Sequence, residues 1–227
     1  MFVEATPYPW PHDGTLRPET TALIIIDMQR DFCALGGYID SLGYDTAPAR
    51  AIIPDIARLR EVARAWGALI VHTREGHRPD LSDLPRHKAW RSAQNGPGIG
   101  ARGPLGRFLV RGEPGWEIMP ELTPEAGEIV IDKPGYSAFY ATDLDRVLNI
   151  AGIKHIILCG LTTDVCVHST LRDAVDRGYE CLVVRDLCAA TEPDNHKAAL
   201  CSIATEGGIF GAVTTVQALV KRLVMPG

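Results

Sequence analysis

The stretch Thr21-Ala-Leu-Ile-Ile-Ile-Asp27 decides the fold class. Its run from Thr21 to Ile26 carries no charge and does not alternate apolar with polar residues. Neighbouring residues of a strand point to opposite faces, so a continuous apolar run fits a strand covered on both sides, as in a parallel sheet. The same reading predicts strands at Ala68–His72, Glu128–Asp132, His155–Cys159, Tyr179–Val184 and Gly208–Val213. Helical patterns separate them. Ile52, Ile56, Leu59, Val62 and Ala63 share one face of a helix near 48–66 that Gly67 ends. Val167, Leu171, Ala174 and Val175 define a second helix, closed by Gly178. Asn195 is placed to cap a third over His196–Thr205, and Val216, Leu219 and Val220 mark a last one. This alternation predicts an α/β fold: a doubly wound, mostly parallel sheet of about six strands with helices on both faces. Such sheets bind ligands beyond the carboxyl ends of their strands, so functional residues are sought there.

Composition narrows the function. The chain has 227 residues, no internal repeat and no flexible linker, and reads as one domain over 1–227. A net charge of -5 offers no basic excess to neutralise phosphates, which argues against nucleic-acid binding. No apolar run approaches the ~20 residues that span a bilayer. Residues 1–14 lack the basic start and apolar stretch of an export signal, so a cytoplasmic protein without a membrane partner is expected. None of the six cysteines forms a Cys-x-x-Cys pair, and buried reduced thiols are expected, with Cys159, Cys181 and Cys201 inside apolar segments. The stretch 73–117, crowded with Gly, Pro and charge, reads as a long cover over the strand ends, with a helical turn around His87–Arg91.

Three polar residues stand at or just past strand ends: Asp27, Lys133 and Cys166, the last following the turn Leu161-Thr-Thr-Asp-Val165. Singly, each has a plainer reading, as a turn cap, a solvated strand end and a packing residue. Together, the parallel topology brings them to one sheet edge. The chemistry that needs them is nucleophilic acyl transfer. A thiolate attacks, and a helix N-terminus and a nearby lysine would favour it. Asp27 would take the thiol proton and later return it to the departing amine.

Three ordered blocks, ALIIIDMQRDFC, VIDKPGYSAFYATDLD and ILCGLTTDVCVHSTLRDAVDRGY, resemble the isochorismatase-like cysteine hydrolase superfamily over nearly the whole chain. The resemblance implies a three-layer, Rossmann-like fold, an Asp27–Lys133–Cys166 triad, and a cis peptide at Leu161–Thr162. It also implies an oxyanion hole from the N–H groups of Thr162 and Cys166. No cofactor is implied. The metal-binding Asp-x-His pair of the nicotinamidase branch is absent; His72, His77, Asp80 and His87 lack a recognised ligand spacing, and no metal is expected.

The blocks PYPWPHDGTLRPETTALIIIDMQRDFC and HTREGHRPDLSDLP look closest to biuret hydrolases, which open linear ureides. Tyr136 stands where those enzymes carry a second lysine, and Glu206 where they carry glutamine. Exchanging donors for these residues favours a substrate end rich in N–H, such as triuret. The expected activity is hydrolysis of a terminal C–N bond of a linear ureide, triuret before biuret, through a carbamoyl-cysteine, with release of ammonia and a carboxylated ureide. The alternatives are a ureidoacrylate amidohydrolase, whose substrate carboxylate would call on Arg74, Arg78 or Arg91, and a non-catalytic binding member of the fold. Phe32, Tyr136, Leu161 and Glu206 are the expected substrate contacts. Relatives by this resemblance assemble as homo-oligomers, dimers or tetramers.

Overall fold

A computed structural model describes residues 1–225. Six strands form one sheet: β1 (Thr21–Ile26), β2 (Leu69–Glu75), β3 (Ile129–Lys133), β4 (His155–Leu161), β5 (Glu180–Ala189) and β6 (Ala212–Thr214). Their order is β3-β2-β1-β4-β5-β6, and every pairing is parallel. The chain starts in the middle and winds outward both ways, which opens a crevice between the ends of β1 and β4. Glycine governs that junction. Gly160 adopts φ +110°, and a Cβ there would lie 2.2 Å from the Ile26 carbonyl oxygen, so only a residue without a side chain lets β4 approach β1 at this level.

The helices are α1 (Ile53–Trp66), α2 (Arg86–Ser92), α3 (Leu144–Ile150), α4 (His168–Asp176), α5 (Pro193–Ala204) and α6 (Val216–Leu223). All of β1 is buried, and its residues divide by parity. Leu23 and Ile25 pack with Ile56 and Leu59 of α1 and Leu219 of α6. Ala22, Ile24 and Ile26 pack with Leu148 of α3, Leu171 of α4 and Ile203 of α5. Helices therefore cover both faces, as the uninterrupted apolarity of β1 requires.

Boundaries differ from expectation for local reasons. The helix near 48–66 is broken: Ala47–Ala51 is a separate short helix, and α1 starts at Ile53 with Pro54 in its first turn. Proline has no N–H to continue the preceding ladder. Gly67 ends α1 in the left-handed region, as expected. Asn195 is not a cap, because Pro193, pre-set for a first helical position, starts α5 two residues earlier. Strand β2 runs to Glu75, so Thr73–Glu75 belong to the sheet and not to the cover. Strand β5 extends past Val184 to Ala189, and β6 is only Ala212–Thr214. The turn around His87–Arg91 is the helix α2.

All six cysteines are free, and five are buried. Cys201 is exposed instead, two positions from each of Ala199 and Ile203, which form the inward face of α5. Among the described residues no helix is long and apolar enough to cross a membrane. The N-terminal arm crosses the open edge of the sheet: Thr6 bridges Val213 of β6 in antiparallel fashion, and Trp10 is fully buried.

Candidate active site

Asp27 follows β1 with φ +47°, a left-handed conformation uncommon for a residue with a side chain. Thr73 on the neighbouring strand supports it. The Asp27 N–H donates to Thr73 Oγ1 at 3.1 Å, and that hydroxyl donates to Asp27 Oδ1 at 2.6 Å. Lys133 ends β3, wholly buried, and places Nζ 2.7 Å from Asp27 Oδ2 and 3.7 Å from Glu75 Oε2. It also donates to the Gly135 carbonyl at 2.9 Å. After β4, residues 163–167 form one π-helical turn that runs into α4 and carries Cys166. The Cys166 thiol donates to Glu75 Oε2 at 3.3 Å. One ligand-type atom from each of Asp27, Glu75 and Cys166 lies within 4.8 Å of the other two. The three residues expected at the sheet edge thus converge, together with a second carboxylate and, through it, a second lysine. The peptide bond Leu161–Thr162 is cis, as the resemblance implies.

Charge is balanced inside this cluster. Burial opposes the Lys133 ammonium, but Asp27, Cys166 and Glu75 outweigh it and hold its pKa above the ordinary lysine value. Burial pushes the Asp27 carboxyl up against the pull of Lys133. Glu75 feels the same burial, yet Lys133 and Lys88 bring its pKa below the usual range. The Cys166 thiol is pushed well up by burial; Lys133 draws it down, and the carboxylates of Asp27 and Glu75 push it up again. A helix end and a nearby lysine would by themselves favour thiolate. Burial and the carboxylates of Asp27 and Glu75 push the other way, toward the thiol.

A cavity of about 330 Å³ opens above Cys166. Thr162, Cys166, Phe32 and Tyr136 all line it. The loop bearing Tyr136 is fastened to α4: Ser137 Oγ donates to Asp173 at 2.8 Å, and the Ala138 N–H to Thr170 Oγ1 at 3.0 Å. The stretch 73–117 supplies Lys88, Arg91 and Ser92 from α2, then Ile99 and Leu109. Two expected contacts are placed elsewhere. The Leu161 side chain is buried in the core beneath a small neighbouring hollow. Glu206 is exposed at φ +52° in the turn that ends α5, outside the cavity lining. Helix termination carries it to the surface.

The histidines considered as metal ligands are dispersed. His72 Nε2 lies 2.9 Å from Glu128, and His77 Nδ1 3.3 Å from Asp83. Sequence reasoning missed Glu75, Lys88 and Gln29. Gln29 is fully buried, accepts the Glu75 N–H at 2.7 Å and donates to the carbonyls of Glu75 and Trp116. Glu75 ends the strand that flanks β1, on the same edge as Asp27, but the polar residues His72-Thr-Arg before it conceal that the strand reaches so far.

The isochorismatase domain model matches residues 21–218. The chain belongs to the isochorismatase family. A ureidoacrylate amidohydrolase, RutB, from Caulobacter vibrioides (strain NA1000 / CB15N) is 36% identical over 219 residues, covering 95% of this chain and 89% of that one. A solved cysteine hydrolase from Pseudomonas syringae pv. phaseolicola 1448A superposes with a TM-score of 0.79 at 30% identity, over 98% of this chain and 97% of that one. An N-carbamoylsarcosine amidase from Thermoplasma acidophilum superposes with a TM-score of 0.66 at 29% identity, over 87% and 96%. This chain is an isochorismatase-family amidohydrolase, a hydrolase of amide C–N bonds.

Proposed function

We propose that the protein is a cysteine amidohydrolase of ureido acids, with ureidoacrylate the representative substrate. Arg91 carries this reading. It lines the cavity that Cys166 opens into, whereas Arg74 is engaged by Asp132 and Glu117 and Arg78 lies outside the lining. A guanidinium on a cavity wall suits a substrate carboxylate. The similarity to a ureidoacrylate amidohydrolase points the same way. The triuret preference rested on Tyr136 and Glu206, and Glu206 does not line the cavity.

In the proposed reaction Asp27 takes the Cys166 proton as the sulfur attacks the terminal carbamoyl carbon. The N–H groups of Thr162 and Cys166 receive the oxyanion, worth a few kcal/mol for each well-aimed donor. The C–N bond breaks, and ammonia departs with the proton held by Asp27. Lys133 keeps Asp27 in place and offsets negative charge at the sulfur. Water, deprotonated by Asp27, then cleaves the carbamoyl thioester and restores the thiol. The product N-carboxylate sheds carbon dioxide unaided.

A second reading, a linear ureide without a carboxylate, is favoured by Glu75, an acceptor at the cavity wall that suits N–H-rich substrates. Ammonia release from ureidoacrylate, triuret and biuret, compared as kcat/KM, tests both. Ureidoacrylate is expected to lead, and Arg91→Gln to weaken it by about 10-fold or more, the scale of one charged hydrogen bond, while sparing triuret. If triuret leads and Arg91→Gln is neutral, the second reading replaces the first.

A further inference from the structure

Glu75 and Lys88 form a buried pair at the nucleophile, and the reaction steps above pass no proton through either. Glu75 is 3% exposed and lines the cavity, with the fully buried Asp27 beside it at the same thiol. One Glu75 oxygen accepts the Cys166 thiol at 3.3 Å; the other is held by Lys88 Nζ at 2.6 Å. Lys88 also donates to the Pro134 carbonyl at 3.1 Å, which fixes the ammonium between α2 and the loop after β3. The carboxylate facing the substrate is thus Glu75, and it can only accept hydrogen bonds.

We propose that Glu75 is the residue that selects ureides, accepting an N–H from the nitrogen that stays bonded to the carbonyl under attack, with Lys88 as the positioning residue that keeps its carboxylate charged and aimed. The inference rests on the amidohydrolase reading of this cavity and holds for either substrate named above. A ureide carbonyl lies between two nitrogens. One leaves as ammonia with the Asp27 proton; the other keeps its N–H throughout and needs an acceptor. An ordinary amide has carbon there and offers the carboxylate no N–H. A site built to bond a substrate N–H discriminates strongly against analogues that lack it.

The groups facing Glu75 are Lys88 from α2, Lys133 from β3, Asp27 after β1, Cys166 on the π turn, Tyr38 from the turn at 38–41, and His77. Among the described residues, only Lys88 and Lys133 are cations at hydrogen-bonding or ion-pair distance. Loss of Lys88 should therefore raise the pH at which the carboxylate becomes charged.

The test compares wild type, Glu75→Gln, Lys88→Met and the double variant, by kcat/KM on the preferred ureide and on a primary amide of the same length. Alkylation of Cys166 by iodoacetamide across pH is followed in parallel. Glu75→Gln should lower ureide kcat/KM by about 100-fold or more, because Lys88 claims the amide oxygen and the NH2 group is left facing the substrate N–H, and should lower amide kcat/KM far less. Alkylation should stay as fast or quicken, since a carboxylate that raised the thiol's pKa is gone. Lys88→Met should move the acid limb of the ureide pH profile upward; the double variant, which leaves no unpaired charge and should melt cooperatively, should lose that shift. Ureide turnover within about threefold of wild type in Glu75→Gln would overturn the proposal, being less than one ordinary hydrogen bond. So would alkylation slowing in step with turnover, which would make Glu75 the base for the thiol. Absence of ureide turnover by wild type sinks the substrate reading itself, whereas ureide turnover indifferent to Glu75→Gln sinks only this inference.

Discussion

Burial and the carboxylates of Asp27 and Glu75 push the Cys166 thiol up, and the Lys133 ammonium pulls it down. In such a site the residue types matter less than what burial does to each of them. Replacing sulfur with a hydroxyl oxygen of much higher pKa should stall the first step. Cys166→Ser is expected to lower kcat by at least ~10³-fold, as loss of a catalytic nucleophile does. Ammonia release measures this, and calorimetry should still detect bound substrate; a variant retaining most of its turnover would refute the mechanism. Asp27, Lys133 and Cys166 were legible because each stands at or just past a strand end. Glu75 and Lys88 were not. A charge in a Gly- and Pro-rich region reads as solvated, and β2 runs three residues beyond the point where its apolar run ends. Glu206 illustrates the converse: a substitution pattern within a family suggested a contact, and the end of α5 placed the side chain in solvent.

At the scale of elements, the closeness of β1 and β4 determines whether Asp27 reaches the thiol. Gly160→Ala combines a left-handed backbone position with a Cβ only 2.2 Å from the Ile26 carbonyl oxygen. It should destabilise the fold by more than about 1 kcal/mol, the scale for alanine at a positive-φ glycine. Chemical denaturation would register the loss, and turnover should fall with it. The turn after β1 is joined to the cover through Asp31, whose carboxylate accepts the Leu109 N–H at 2.8 Å and whose own N–H donates to the Gly115 carbonyl. Burial pushes this carboxyl from the ordinary 3.8 up to about 6. The folded state prefers the protonated form, so Asp31 favours folding most below about pH 4, and that contribution is lost as pH rises through about 6. Asp31→Asn should leave stability at pH 4 nearly unchanged and raise it above pH 6 by up to about 3 kcal/mol. Urea melts at both pH values check this; an equal effect at each would contradict it.

Across the whole molecule, the N-terminal arm completes the sheet edge that β6 leaves open. Trp10 is fully buried and meets the His155 ring edge-on at 5.5 Å, while Thr214 Oγ1 donates to the Glu4 carbonyl. An uncovered edge strand invites pairing with another chain. Trp10→Ala should cost about 3–5 kcal/mol and promote aggregation on warming, seen by thermal melting with light scattering. An unchanged melting temperature would show that the arm is dispensable. The linear chain determined the alternation of buried strands and helices, and with it a parallel sheet with chemistry at its carboxyl edge, because local periodicity and apolar content are written residue by residue. Strand order, the approach of β4 to β1 through Gly160, and the assembly of Glu75 and Lys88 around the thiol were decided only in three dimensions. Burial, ion pairing and pKa depend on distances between residues as far apart as 75 and 166, and no local pattern encodes those distances.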